Sequence, residues 1–197
     1  MGTEDPTLTE MFNEAIDLFE AGRISDALHH LGHVLRRDNR HPGAWYYKGR
    51  CLERTGDLEQ ALRCFETAAR LAPHYAAAHC EIGFCLNAMG RYEDALSHLA
   101  VALDLDPTMD AAIINSGYAY EHSGQFDKAV AWYKRVIARD PLNAAGWQNL
   151  GSCLLTLGHP GEALECFQGA YELGTDEEVK RVARLGIEHC RNLLPSS

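Results

Sequence analysis

Residues 42–75 read PGAWYYKGRCLERTGDLEQALRCFETAARLAPHY, and the fold follows from this stretch. Trp45, Gly49 and Leu52 stand at i, i+4 and i+7, on one face of a helix. Gly56 ends that helix, because glycine enters the left-handed region without a Cβ penalty. Leu58, Ala61, Leu62, Phe65, Ala68 and Ala69 recur at helical spacing in a second helix, which Pro73 stops. Two antiparallel helices joined by a tight glycine turn make a helical hairpin.

The same punctuation recurs along the chain. Gly22, Gly56, Gly90, Gly124 and Gly158 follow one another at a step of 34. Five residues after each stands an alanine: Ala27, Ala61, Ala95, Ala129 and Ala163. Seven residues before each stands a small residue: Ala15, Gly49, Gly83, Gly117 and Gly151. Small residues at both places let the paired helices approach closely, and Trp45, Phe65, Tyr120, Tyr133, Trp147 and Phe167 fill the space around the contact. One hairpin cannot bury its apolar faces alone, so the hairpins stack.

The expected organisation is a polar leader over 1–7, five units at 8–41, 42–75, 76–109, 110–143 and 144–177, a capping helix over 178–194 and a tail over 195–197. Two starts are open for the first helix: Asp5-Pro6, or a capping box of Thr7 with Glu10. Thr175 with Glu178 reads as a capping box for the last helix. That helix carries Val179, Val182, Ala183, Gly186, Cys190 and Leu193 on one face and charge on the other, which suits an element covering the end of an array.

Composition excludes several function classes. A net charge of −10 opposes nucleic acid, whose phosphates are bound by Lys and Arg, and opposes anionic membrane surfaces. The start has no basic and apolar signal pattern, and no run of about 18 apolar residues is present. Seven cysteines in helical patterns favour a reducing compartment over a disulfide framework, and a cytoplasmic location is expected.

The chain resembles the tetratricopeptide repeat. The fifth unit carries Trp147, Leu150, Gly151, Leu154, Gly158, Ala163, Phe167 and Ala170 where the family places them. The fourth departs at Ser116. The first departs at Glu14, and at Asn39 where others have proline. The resemblance implies an all-α, right-handed superhelical solenoid of antiparallel helix pairs, with a concave surface lined by the first helix of each pair. It puts a peptide-binding groove at Phe12, Asn13, Tyr46, Tyr47, Arg50, Glu81, Phe84, Asn115, Tyr118, Gln148 and Asn149, with Cys80, Asn87 and Ile114 among further inner positions. Aromatic bodies with polar tips suit binding hot spots, and amides suit main-chain recognition. Some of these aromatics could instead pack between adjacent helices. Chaperone-binding members clamp a C-terminal carboxylate with Lys, Arg and Asn; the matching places hold residues such as Phe12, Ile16, Tyr47, Ala77 and Glu81, so that ligand is not expected.

No phosphate loop, nucleophile elbow or metalloprotease pattern is present, so neither an enzyme nor a cofactor is expected. Cys51, Cys85 and Cys153 share one register position, and Cys64 and Cys166 another, as packing residues would. Cys80 is the exception to watch. His29 and His33 stand at i, i+4 and could share a metal; solvated surface histidines are the plainer reading, and no metal is expected. His79 is expected as a hydrogen-bonded core histidine. The expected partner is a protein or peptide, with basic character favoured by the acidic balance. The alternative is a homo-oligomer joined end to end through heterologous contacts.

Overall fold

The computed structural model describes residues 7–194. Pro6 and everything before it, including the Asp5-Pro6 start, and the tail over 195–197 lie outside the described residues. Among those described there are eleven helices and no strand: α1 (Leu8–Glu20), α2 (Ile24–Arg37), α3 (Pro42–Arg54), α4 (Leu58–Leu71), α5 (Ala76–Ala88), α6 (Tyr92–Leu105), α7 (Asp110–His122), α8 (Phe126–Arg139), α9 (Ala144–Thr156), α10 (Pro160–Leu173) and α11 (Glu177–Leu193). Among the described residues no helix is long and apolar enough to cross a membrane.

The five period-setting glycines are the only described residues with positive φ, at +75° to +84°. Each sits one residue past the C-cap of an odd-numbered helix, where a Cβ would be strained. The even-numbered helices end differently. Ala72, Asp106 and Asp140 leave helical geometry (φ −134°, −137° and −131°), since the following proline excludes it. Asp38 does the same at φ −138° without a proline. Its Oδ1 accepts the Arg40 N–H at 2.9 Å, the same Asx turn that Asp106 and Asp140 make with Thr108 and Leu142.

The other register glycines set helix spacing. A Cβ on Gly49 would lie 2.6 Å from Phe65, on Gly83 2.5 Å from Leu99, on Gly117 2.8 Å from Tyr133 and on Gly151 3.1 Å from Phe167. The register alanines Ala27, Ala61, Ala95, Ala129 and Ala163 are fully buried on the facing side. Hydrophobic cores continue from pair to pair, centred on Leu31, on Phe65 with Leu99, and on Tyr133 with Phe167. Burying a side chain such as Phe65 contributes about 1.5–3 kcal/mol.

Caps fix the helix starts. Thr7 with Glu10 forms a full capping box on α1. The cap of α11 departs from expectation: it is Asp176, one residue after Thr175, whose Oδ1 accepts the Glu178 N–H at 2.6 Å. A carboxylate there faces the positive end of the helix dipole, and the Glu178 side chain pairs with Arg181 instead. The α11 helix packs on α10 and α9, and a Cβ on Gly186 would lie 2.7 Å from the Phe167 ring.

Each helix packs on the next in sequence. The odd-numbered helices also touch one another, α1 with α3, α5 with α7, and α9 with α11; among the described residues no two even-numbered helices touch to that extent. The odd layer is therefore the crowded, inner side of the curve and the even layer the outer side.

Candidate functional site

The inner layer divides along its length. At the α1–α3 end the aromatic side chains are spent on packing. The Phe12 ring lies 4.5 Å from that of His41 and 5.8 Å from that of Tyr47, and Tyr47 in turn lies 5.6 Å from Phe19. Tyr46, expected on an open groove surface, is 8% exposed. Its ring lies 5.0 Å from Tyr75 and 5.7 Å from Phe65, so the following turn and its own hairpin cover it. Cys80 is likewise buried rather than open to the groove. Asn13 is exposed on α1.

The Tyr46 hydroxyl belongs to a polar cluster. The hydroxyl accepts from Arg50 Nη1 at 3.1 Å and donates to Glu81 Oε1 at 3.3 Å. Arg50 also lies 3.3 Å from Glu81 and 3.4 Å from Glu53, with Phe19 and Tyr46 rings within 5.9 Å of its guanidinium. Burial pushes the Glu81 and Glu53 carboxyls above their usual range, and Arg50 opposes that shift in both. The cluster balances its own charge, with Arg54 beside it on the Phe19 ring. The net charge of −10 is therefore not focused here.

The α5–α9 part is different. Phe84, Asn87, Ala88, Asn115 and Tyr118 line a cavity of about 220 Å³ between α5 and α7, with no charged residue among them. Tyr118 is 38% exposed and stacks on His122 with centroids 3.8 Å apart; Ile114, one turn earlier, is also 38% exposed. Asn87 is 4% exposed, and its Nδ2 donates to the Asn115 carbonyl at 2.9 Å. Farther along, Gln148 and Asn149 are half-buried on α9. Asn149 faces the Tyr133 hydroxyl, which donates to Glu121 at 2.5 Å.

Of the expected groove residues, the fold thus brings together Phe84, Asn115 and Tyr118. It buries Tyr46 and leaves Phe12 and Tyr47 half-buried in ring contact with each other. Ala88 and His122 were missed, although both occupy a register position left over from packing. A larger depression of about 440 Å³ lies elsewhere, lined by Asn39, Arg40, Trp45, Thr67, Arg70 and Leu71. Its Trp45 indole N–H is already donated to the Asn39 carbonyl at 2.9 Å, an anchor repeated by Trp147 on Pro141. His79 copies that anchor, with Nε2 3.2 Å from the Pro73 carbonyl and Nδ1 3.2 Å from His98 Nδ1.

All seven cysteines are buried and free, and burial pushes the Cys80 and Cys85 thiols up to about 12, the reverse of an activated nucleophile. His29 and His33 approach to 2.9 Å between Nε2 atoms; among the described residues no group of three or more His, Cys, Asp and Glu gathers as for a metal ion.

Comparison with known proteins agrees with the helix pairing. A family model described as tetratricopeptide repeat matches residues 18–80 and 86–150, a second of that description matches 52–110, and a third 144–173. A TPR repeat-containing protein of Methanocaldococcus jannaschii is 42% identical over 48 residues, 24% of this chain and 14% of that relative. The match thus spans about a seventh of the relative's length. Among solved structures, the MamA segment from residue 41 to the end, from Desulfovibrio magneticus RS-1, superposes with a TM-score of 0.79 at 23% identity, covering 87% of this chain and 97% of that one. YrrB, described as a TPR protein with an unusual peptide-binding site, gives 0.77 at 22% identity over 89% and 90%. At these identities the likeness is one of fold. With matched segments over more than half its length and the glycine register behind them, the chain belongs to the tetratricopeptide repeat family.

Proposed function

We propose that this chain is a non-catalytic protein-interaction scaffold that holds a peptide segment of a partner along its inner helix layer. The observation that carries the reading is the α5–α7 surface. There Ile114 and Tyr118 stand exposed beside a cavity, whereas at the α1–α3 end Tyr46 is buried and Phe12 and Tyr47 are half-buried. Exposed aromatic and aliphatic side chains next to amides, around a cavity lined by uncharged residues, are what an interface core is made from. The binding set we assign is therefore Phe84, Asn87, Asn115, Tyr118 and Ile114, with Gln148 and Asn149 continuing it. The net charge of −10 acts at longer range, raising encounter with partners of basic character. YrrB, whose description names a peptide-binding site, supports the same use of the fold.

The test uses two matched pairs. Ile114 and Tyr118 on α7 are each 38% exposed; Val101 and Leu105 on outer α6 are 38% and 37% exposed. Partner capture from lysate of the source cells is expected to fall with Ile114→Ser/Tyr118→Ser and to persist with Val101→Ser/Leu105→Ser. Equal capture by both would remove the inner layer from consideration. A second reading, end-to-end self-association, is favoured by Leu185 and Leu193, 53% and 55% exposed on α11. It predicts concentration-dependent light scattering that Leu185→Ser/Leu193→Ser abolishes; a constant monomer mass would rule it out.

A further inference from the structure

We infer that the α5–α7 cavity seats one aliphatic side chain of an extended, locally uncharged segment, whose main-chain N–H is donated to Asn87 Oδ1. The inference rests on the inner-layer reading above and specifies its ligand.

Size comes first. About 220 Å³ is below the roughly 300–1,000 Å³ of small-molecule sites, so the space suits a single side chain. Its walls are Phe84, Ala88 and Tyr118 with two amides and no charge. A Lys, Arg, Asp or Glu entering it would lose its hydration with no counter-charge in the lining, which is costly; an aliphatic side chain loses nothing.

Polarity comes second. The Asn87 Nδ2 donates to a main-chain carbonyl, that of Asn115. A carbonyl only accepts, so the orientation of the Asn87 amide is fixed by its neighbour. Its Oδ1 is left buried without a hydrogen-bond partner among the described residues, an unfavourable state. One N–H from a ligand removes that penalty. Gln148 Oε1 on α9 is also buried without a hydrogen-bond partner among the described residues. In a helical ligand the main-chain N–H groups are bonded within the helix, whereas an extended segment presents them outward. The oriented acceptor at Asn87 therefore favours an extended ligand. Oδ1 is shielded from solvent, so the segment reaches it only as side chains lining the cavity move.

The experiment selects a phage-displayed random dodecapeptide library on the full chain, then measures the recovered peptides by calorimetry. Peptides are expected to share Leu, Ile, Val or Met at one position, with binding weakened at least fivefold by Ile114→Ser/Tyr118→Ser. N-methylation at that residue is expected to weaken binding to the wild type about fivefold to tenfold, the worth of one hydrogen bond, and to leave Asn87→Leu nearly indifferent. Asn87→Ala replaces the leucine variant if the latter does not fold. A shared Lys or Arg at the pocket position, or the same N-methyl penalty on wild type and variant, would overturn the inference while leaving the inner-layer reading intact. Peptides insensitive to Ile114→Ser/Tyr118→Ser, or no peptide at all, would overturn both.

Discussion

Substituting alanine for glycine along this chain has three different outcomes, each readable from the backbone. Within a helix the change gains about 1 kcal/mol of helix propensity. At Gly83 the new Cβ would lie 2.5 Å from Leu99 Cγ and 2.6 Å from its Cδ2, about an ångström inside ordinary contact. Leu99 is fully buried, so it cannot swing away and α5 and α6 must part. Overpacking of this kind costs about 1–3 kcal/mol; taking the upper end and subtracting the propensity gain leaves a net loss of about 2 kcal/mol. For a chain of this size that lowers Tm by about 4–8 °C. Gly117 and Gly151, with nearest atoms at 2.8 and 3.1 Å, form a graded series in which Gly151→Ala comes close to neutral. Gly158 meets nothing within 4 Å but has φ +81°, so its alanine variant loses about 1–2 kcal/mol through the backbone alone. Gly161, in α10 with nothing within 4 Å, gains up to about 1 kcal/mol. Thermal unfolding by circular dichroism, checked by urea titration, is expected to rank Gly161→Ala above wild type, Gly151→Ala near it, and Gly158→Ala and Gly83→Ala below. If Gly83→Ala melted at or above wild type, the account of close helix approach would be refuted.

Other expectations follow from the polar groups and the terminal helix. Tyr46→Phe removes the hydroxyl between Arg50 and Glu81 and is expected to cost about 1 kcal/mol, with partner capture unchanged because the ring is covered; reduced capture would return Tyr46 to the binding surface. Burial raises the thiols of Cys80, Cys85 and Cys153 to about 12 and of Cys51 and Cys166 to about 11, from an ordinary 9.0. A raised folded pKa gives stability that is complete below pH 9 and lost as pH rises towards 12. The urea midpoint is therefore expected to fall steeply between pH 9 and 11, and a flat midpoint would contradict the burial of these thiols. Gly186→Leu drives a larger side chain into Phe167, which a Cβ alone would approach to 2.7 Å; rapid amide exchange confined to α11 and the end of α10 is expected, and unchanged protection there would contradict the packing of α11.

The fold was legible because the same few constraints repeat. A left-handed turn needs glycine, and a close crossing needs a small residue, so both leave fixed marks every 34 residues. The site was less legible because exposure is decided by neighbours distant in sequence. Tyr46, Cys80, Ile114 and Gln148 occupy one register position, yet Tyr46 is 8% and Cys80 5% exposed while Ile114 is 38% exposed. Tyr46 is covered by Tyr75, a residue of the turn that follows its own hairpin, and nothing in the local pattern announces that. The cap of α11 illustrates a finer ambiguity. Thr175 and Asp176 can both cap a helix; the extended backbone at Asp176 (φ −91°, ψ 133°) places its carboxylate on the free N–H. Asn87 belongs to the same inner register, but its significance lies in a hydrogen bond to a carbonyl on the next odd helix, which spacing alone does not display.

The central claim, that partners lie along the inner layer at α5–α7, is tested most directly by a photo-crosslinking amino acid placed in living cells at Tyr118 and, separately, at Val101. The two sites match in exposure and differ in face. The account predicts discrete protein adducts from position 118 and none above background from position 101. Adducts confined to position 101, or equal at both, would contradict it.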